Sequence, residues 1–124
     1  MMPVRFRAVA LAACIAASTL PALGADPVFP VETLWVAESL EGTPFASVSR
    51  PTLRIGRDGR ATGSTGCNRY TGKAEISGNA LALGPLATTR MACFGAGGDN
   101  ERRYSAAIAS ASRWRIERRQ LVID

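Results

Sequence analysis

Short runs of alternating apolar and polar residues, separated by turn signals, occupy most of the chain after residue 30. An alternation with a period of two predicts half-buried β-strands. Asp58-Gly59 and Gly78-Asn79 are typical of tight hairpin turns, because these residues tolerate a positive φ. An irregular turn is expected near Asn68, where glycines are frequent. The predicted strands cover residues 33–40, 52–56, a run starting near 61, 73–77, 80–83, and a final hairpin that turns at 118–120.

A single helix is predicted after Asp99, where the apolar period changes from two to 3.6. Asp99 or Asn100 is expected to cap this helix, and the preceding glycines predict a flexible loop over 95–98. We expect Ile108 and Trp35 to lie in one core between the helix and the strands. The apolar stripe of the helix consists of Tyr104, Ala107, Ile108 and Ala111.

The first 25 residues have the pattern of a secretory leader. Two arginines precede an almost continuously apolar stretch over 8–23, which ends in small residues. The pattern predicts cleavage after Gly24 or Ala25, a domain over 26–124, and a periplasmic or secreted protein. The alternative is a lipoprotein anchored at Cys14, although only six residues separate this cysteine from the preceding arginine.

Cys67 and Cys93 are the two cysteines outside the leader. An even number of cysteines in an exported chain is most simply interpreted as a disulfide, and the alternative is two buried thiols. A disulfide would matter here, because a domain of about 100 residues buries enough surface for one core but folds with only a modest margin of stability. Two cysteines are too few for a four-cysteine zinc site.

The chain is basic, with a formal charge of +5 that falls to +3 when the two leader arginines are removed. A charge of +3 is ordinary for a small domain, and we expect no nucleic-acid partner for an exported protein. Near the C-terminus, arginines alternate with Trp114 and Ile116. This alternation predicts a strand with a solvated arginine face and with Trp114 turned inward. Contact with anionic lipid or cell-wall polymer is the alternative for these arginines, which are Arg113, Arg115, Arg118 and Arg119.

The chain has no histidine, which excludes mechanisms that need an imidazole base or a histidine-rich zinc site. The segment Gly66–Lys73 is similar to a phosphate-binding loop, but its glycines are one residue too far apart and Ala74 replaces the magnesium-binding hydroxyl. The cysteines do not form the Cys-x-x-Cys pattern of thiol oxidoreductases. We therefore expect no catalytic residue, no cofactor and no metal.

Three segments together resemble the META domain, also called the HslJ-type domain. The first consists of LW at 34–35 and SLEGTP at 39–44, the second is GCNRYTG at 66–72, and the third is ATTRMAC at 87–93, followed by Glu101. The resemblance covers about residues 31–124. It implies an α+β fold, a single small domain with a curved antiparallel β-sheet and one helix packed on it. It also implies a bacterial envelope protein associated with stress responses, with no established catalytic residues.

The chain departs from that family at its end, because the family pattern continues with a further strand whereas this sequence stops at Asp124. The last sheet edge is therefore expected to be left open, closed by another segment or covered by a partner.

Four polar residues near the cysteines form the candidate site. If Cys67 and Cys93 are joined, the flanking segments come together, and asparagine and arginine side chains there can bind backbone groups or a carboxylate. One interpretation is a scaffold that satisfies buried backbone, and the other is an anion or peptide-carboxylate site built from the arginines. The four residues are Asn68, Arg69, Thr89 and Arg90.

The sequence favours a non-enzymatic, monomeric envelope protein that binds an unidentified protein, lipid or cell-wall component. An inhibitor of an envelope hydrolase is the second candidate, because small exported disulfide-tied domains often have that role. A small thiol-dependent enzyme is the third, and it requires that a cysteine is reduced.

Overall fold

The computed structural model describes residues 3–9 and 27–124. The rest of the predicted leader, including Cys14 and the expected cleavage site, lies outside the described residues. The described elements are β1 (Val4–Ala8), β2 (Trp35–Leu40), β3 (Thr43–Pro44), β4 (Thr52–Ile55), β5 (Arg60–Ser64), β6 (Arg69–Ser77), β7 (Ala80–Leu83), β8 (Ala87–Thr88), α1 (Ala96–Ala109), β9 (Trp114–Glu117) and β10 (Gln120–Ile123).

The strands and turns follow the local pattern of the sequence. Leu53 and Ile55 of β4 are buried, whereas Arg54 between them is exposed. The last hairpin turns at Arg118 and Arg119, whose φ values of 49° and 65° match the two-residue turn with left-handed backbone at both positions. The predicted hairpins are therefore present.

The strands pair antiparallel in the order β7-β6-β5-β4-β2-β1-β10-β9, with β3 beside β2 and β8 beside β6. The two ends of this order meet, because the backbone N–H of Leu81 donates to Ser112 O at 3.0 Å and that of Trp114 donates to Asn79 O at 2.9 Å. The sheet is thus curved into a nearly closed barrel, which leaves few exposed backbone groups at its edges.

Helix α1 fills the concave face of the sheet. Tyr104, Ala107 and Ile108 are buried, and the ring of Tyr104 meets the rings of Phe6 and Phe45 edge to face, with centroids 6.2 and 6.3 Å apart. The predicted core positions Trp35 and Ile108 are both buried. The predicted fold, one helix on a curved antiparallel sheet, is confirmed. The described part of the chain includes no helix that is long and apolar enough to span a bilayer.

The start of the helix was predicted wrongly. Residues 96–98 form its first turn instead of a flexible loop, and neither Asp99 nor Asn100 caps it, since Gly95 is the N-cap residue. In this first turn the helix backbone passes close to Cys93 O. A Cβ on Gly98 would lie only 2.5 Å from that oxygen, so glycine is required at this position. Asn100 points inward, where its amide accepts from Ala46 N and donates to Ala46 O, both at 3.1 Å.

The edge of the last strand, β10, is paired with another strand. Residues 4–8, which belong to the predicted leader, form β1 between β2 and β10. Another segment of the chain therefore closes the edge that the sequence left uncertain. In β9, Trp114 is buried as predicted, whereas Ile116 is 46% exposed and does not continue the alternation inward.

Candidate functional site

Cys67 and Cys93 connect the turn at 65–68 to the segment after β8. Their Cα atoms are 6.0 Å apart and their sulfur atoms lie at bonding distance, which is consistent with the predicted disulfide. The connection brings Asn68 and Thr89 into contact, as the sequence predicted for joined cysteines. We call residues 89–94 the 89–94 loop.

The amide of Asn68 holds this loop from the inside. Asn68 is buried, its Oδ1 accepts from Met91 N at 2.7 Å, and its Nδ2 donates to Met91 O at 3.1 Å. Thr89 Oγ1 donates to the same Oδ1 at 3.0 Å and accepts from Arg69 N at 3.0 Å. One buried side chain thus holds the loop at two residues, at Met91 through its backbone and at Thr89 through its hydroxyl.

Glu101 joins helix α1 to this arrangement. Its Oε1 accepts from Asn68 Nδ2 at 2.8 Å and from Thr65 Oγ1 at 2.7 Å. Thr65 is buried, and its oxygen also accepts from Asn68 N at 2.9 Å. The turn, the loop and the helix therefore share one hydrogen-bond network, which stabilises all three. Of its members, Thr65 was not singled out by the sequence, and Glu101 entered only through the family resemblance.

The two arginines of the predicted cluster lie outside this network. Arg69 and Arg90 are both exposed. Neither guanidinium makes a hydrogen bond or ion pair with another residue in the described ranges 3–9 and 27–124, which leaves both charges available to a binding partner. The structure therefore divides the predicted cluster into an inner half, Asn68 with Thr89, and an outer half, Arg69 with Arg90.

Two large apolar side chains of the 89–94 loop point outward. Met91 is 62% exposed and Phe94 is 92% exposed. Their exposure could not be predicted from the sequence, because exposure of an apolar residue depends on tertiary contacts that no local pattern reports. Exposed aromatic and methionine side chains beside arginines have the composition of protein interfaces.

A groove of about 460 Å³ opens beside the helix, between α1 and the segment that joins β7 to β8. Its apolar wall includes Leu83, Leu86 and Ile108. Tyr70 and Tyr104 also line the groove, and their hydroxyls form a buried hydrogen bond of 2.7 Å. Burial raises the pKa of both phenols above the ordinary range, so both are neutral donors at physiological pH. Tyr70 donates to Thr52 O at 2.7 Å, which ties β6 to β4.

The basic C-terminal end is partly neutralised within the protein. Arg115 pairs with Glu117 at 3.1 Å and with Asp124 at 3.2 Å. The hydrogen bond from Arg115 is the main cause that lowers the pKa of the Glu117 carboxyl, and the charge of Arg5 adds to it. Arg113, Arg118 and Arg119 are exposed, as predicted for a solvated face.

The fold and the inner network define a small antiparallel, nearly closed barrel with one internal helix and a buried asparagine that holds the 89–94 loop. The sequence model of the META domain matches residues 29–124, so the chain belongs to the META domain family.

The chain is also similar to a protein from Burkholderia xenovorans whose structure was determined by NMR. The TM-score is 0.56 with 27% sequence identity, over 86% of this chain and 94% of that chain. No curated protein matches the chain significantly.

Proposed function

We propose that this META domain protein is a non-enzymatic component of the bacterial cell envelope, with a role in stress, that recognises a protein partner through the 89–94 loop. The observation that carries the proposal is the exposure of Met91 and Phe94 on a loop whose backbone is held by Asn68. Two exposed arginines belong to the loop and to the strand start beside it: Arg90 directly precedes Met91, and the backbone N–H of Arg69 donates to Thr89 Oγ1 at 3.0 Å.

The rigidity of the loop favours a protein over a lipid as the partner. Holding a loop in its bound conformation lowers the entropic cost of association, which benefits a partner of fixed shape. A fluid bilayer gains little from that rigidity, and two apolar side chains bury too little surface for a stable membrane anchor. The interior of the sheet is filled by α1, so a lipid carrier is not favoured either.

The envelope location is supported by the leader pattern and by the cysteine pair. The leader pattern predicts export, and a cystine is stable in an oxidising compartment but not in the cytosol. The mass of the protein isolated from its host tests this part directly. A chain that begins at Ala25 or Asp26 supports export with cleavage, and a diacylated chain that begins at Cys14 would make the protein a lipoprotein instead.

Inhibition of an envelope hydrolase is the second candidate function. The observation that favours it is that both backbone groups of Met91 are bound from the inside, which keeps a protruding loop rigid enough to enter a cleft. An assay of cell-wall hydrolases and proteases with the purified protein tests it. Inhibition that is lost in a Phe94→Ala variant supports this candidate.

The proposed partner is tested by photo-crosslinking in cells. A photoreactive amino acid replaces Phe94 in one strain and Val28, which is 85% exposed and lies outside the loop, in the control strain. We expect one dominant protein adduct from position 94 and none from position 28. Adducts with lipid or glycan only, or the same adduct from both positions, would contradict recognition of a protein through this loop.

A further inference from the structure

The space between β2 and β10 is occupied by a strand from the predicted leader. Phe6 is opposite Ala37 on one side and Leu121 on the other, and Val4 is opposite Leu40 and Ile123. Both neighbours run antiparallel to β1. In the described strand order β2 and β10 do not pair with each other, so each would present an unpaired edge without the strand between them.

The strand also fills part of the core. Val4 and Phe6 are completely buried, and the Phe6 ring packs edge to face against Tyr104 of α1. Removing these two side chains would leave a cavity lined by apolar residues in the only hydrophobic core of the described residues. An empty site of this kind is costly, because it exposes apolar surface together with unpaired backbone groups.

Two glutamates on the solvent-facing side of the site pair with the arginines of β1. Arg7 Nε lies 3.1 Å from Glu38 Oε1, and Arg5 Nη1 lies 3.5 Å from Glu117 Oε1. The two glutamates belong to β2 and β9, so they remain when β1 is removed. They favour an occupant with basic residues at the outward positions.

We propose that the space between β2 and β10 is an acceptor site for an extended peptide strand, and that after export it takes a strand from another polypeptide. Its ligand is a segment with apolar residues two positions apart, basic residues between and after them, and a direction antiparallel to both neighbours. Addition of a strand to exposed sheet edges is an established mode of peptide recognition. The inference rests on the proposed function only for the removal of the leader, which separates residues 3–9 from residues 27–124.

The experiment uses the full chain, so that the domain folds with its own strand in place. A site for a sequence-specific protease is introduced within residues 10–26, and the purified protein is cut after folding. A fluorescent peptide with the sequence of residues 3–9 is then added, and its uptake is followed by anisotropy while the displaced fragment is identified by mass. The exchange is repeated in urea below the unfolding transition, so that slow release does not mask it.

We expect the peptide to replace the fragment in a one-to-one ratio. A control peptide with the change Phe6→Asp should bind at least about 100-fold more weakly, because its carboxylate would be buried without a partner. A peptide with Arg5→Glu and Arg7→Glu should bind about three- to tenfold more weakly, with the difference shrinking as salt is added.

Failure of the wild-type peptide to replace the fragment in either condition would overturn the proposal, as would equal uptake of the Phe6→Asp peptide. Neither result depends on the 89–94 loop or on export. The crosslinks from position 94 and the mass of the exported chain report on the proposed function separately.

Discussion

The side-chain amide of Asn68 binds both backbone groups of Met91, accepting from its N–H at 2.7 Å and donating to its carbonyl at 3.1 Å. A loop of this length normally samples many conformations, and the two bonds select one of them. Because Glu101 orients the same amide from the helix, the position of the loop depends on the packing of the whole domain. The exposed Phe94 is thereby presented from a fixed backbone.

Replacing Asn68 by Ala is expected to lower the free energy of unfolding by about 2–4 kcal/mol, because several buried partners lose their hydrogen bonds. Denaturant unfolding measures this change. Asn79→Ala is the matched control, since Asn79 is exposed and donates one bond, to Trp114 O at 3.1 Å, and its loss should cost less than about 1 kcal/mol. Hydrogen exchange at the Met91 amide should accelerate only in Asn68→Ala. An unchanged exchange rate would show that other contacts hold the loop.

Reducing the link between Cys67 and Cys93 should lower the melting temperature by about 10 °C or more. The two residues are 26 positions apart, and closing a loop of that size contributes about 3.5 kcal/mol on the chain-entropy model. Cys67→Ser and Cys93→Ser should be equally destabilised, and the double variant should be no worse than either. Additive losses together with two titratable thiols in the oxidised protein would argue for two independent free cysteines instead.

Alkaline pH should unfold the protein through its two tyrosines. The pKa of both Tyr70 and Tyr104 is raised by burial in the folded state, so their contribution to stability is complete below the ordinary pKa of 10.0 and is lost as pH rises above it. The free energy of unfolding should fall by about 1.4 kcal/mol per pH unit for each tyrosine. The chain has two tyrosines, so absorbance at 295 nm reports on both.

In that titration the tyrosinate signal should appear together with the loss of tertiary structure and not before it. The Tyr104→Phe variant keeps the bond from Tyr70 to Thr52 O and should show about half of the alkaline slope. A tyrosinate signal near pH 10 in the folded protein would contradict the buried pair.

Ile108→Ala should cost about 2–5 kcal/mol in unfolding free energy, because Ile108 is buried between the helix and the sheet. Ile116→Ala is the control in β9, and the 46% exposure of Ile116 predicts a cost below about 1 kcal/mol. Chemical denaturation of the two variants compares them. Similar losses at both positions would mean that the inner and outer faces are assigned incorrectly.

The hairpins and the helix could be predicted because their signals are local. The pair Gly78-Asn79 and the stripe from Tyr104 to Ala111 determine turn and helix from residues that are close in sequence. The start of α1 could not be predicted in this way, because Gly98 belongs to the helix through its close approach to Cys93 O. Asn100 has a side chain typical of helix caps, but its role is also set by tertiary structure, because its amide binds Ala46 across the fold.

Strand β1 could not be predicted because it lies at the start of a segment with the pattern of a leader. Val4, Arg5, Phe6 and Arg7 alternate as a strand does, but the apolar stretch that follows them has the pattern of a leader. Only the long-range pairing with β2 and β10 shows that the alternation fits the sheet. The exposure of Met91 and Phe94 is likewise a consequence of tertiary structure, whereas the nearness of Asn68 and Thr89 followed from joining the two cysteines.

We expect the 89–94 loop to recognise its partner because Asn68 holds it in one conformation. The most direct measurement is the yield of the protein crosslink from position 94 in three backgrounds, namely wild type, Asn68→Ala and Asn79→Ala, at a temperature where all three are folded. We expect the yield in Asn79→Ala to equal that of wild type and the yield in Asn68→Ala to fall several-fold. An equal yield in all three backgrounds would contradict the claim.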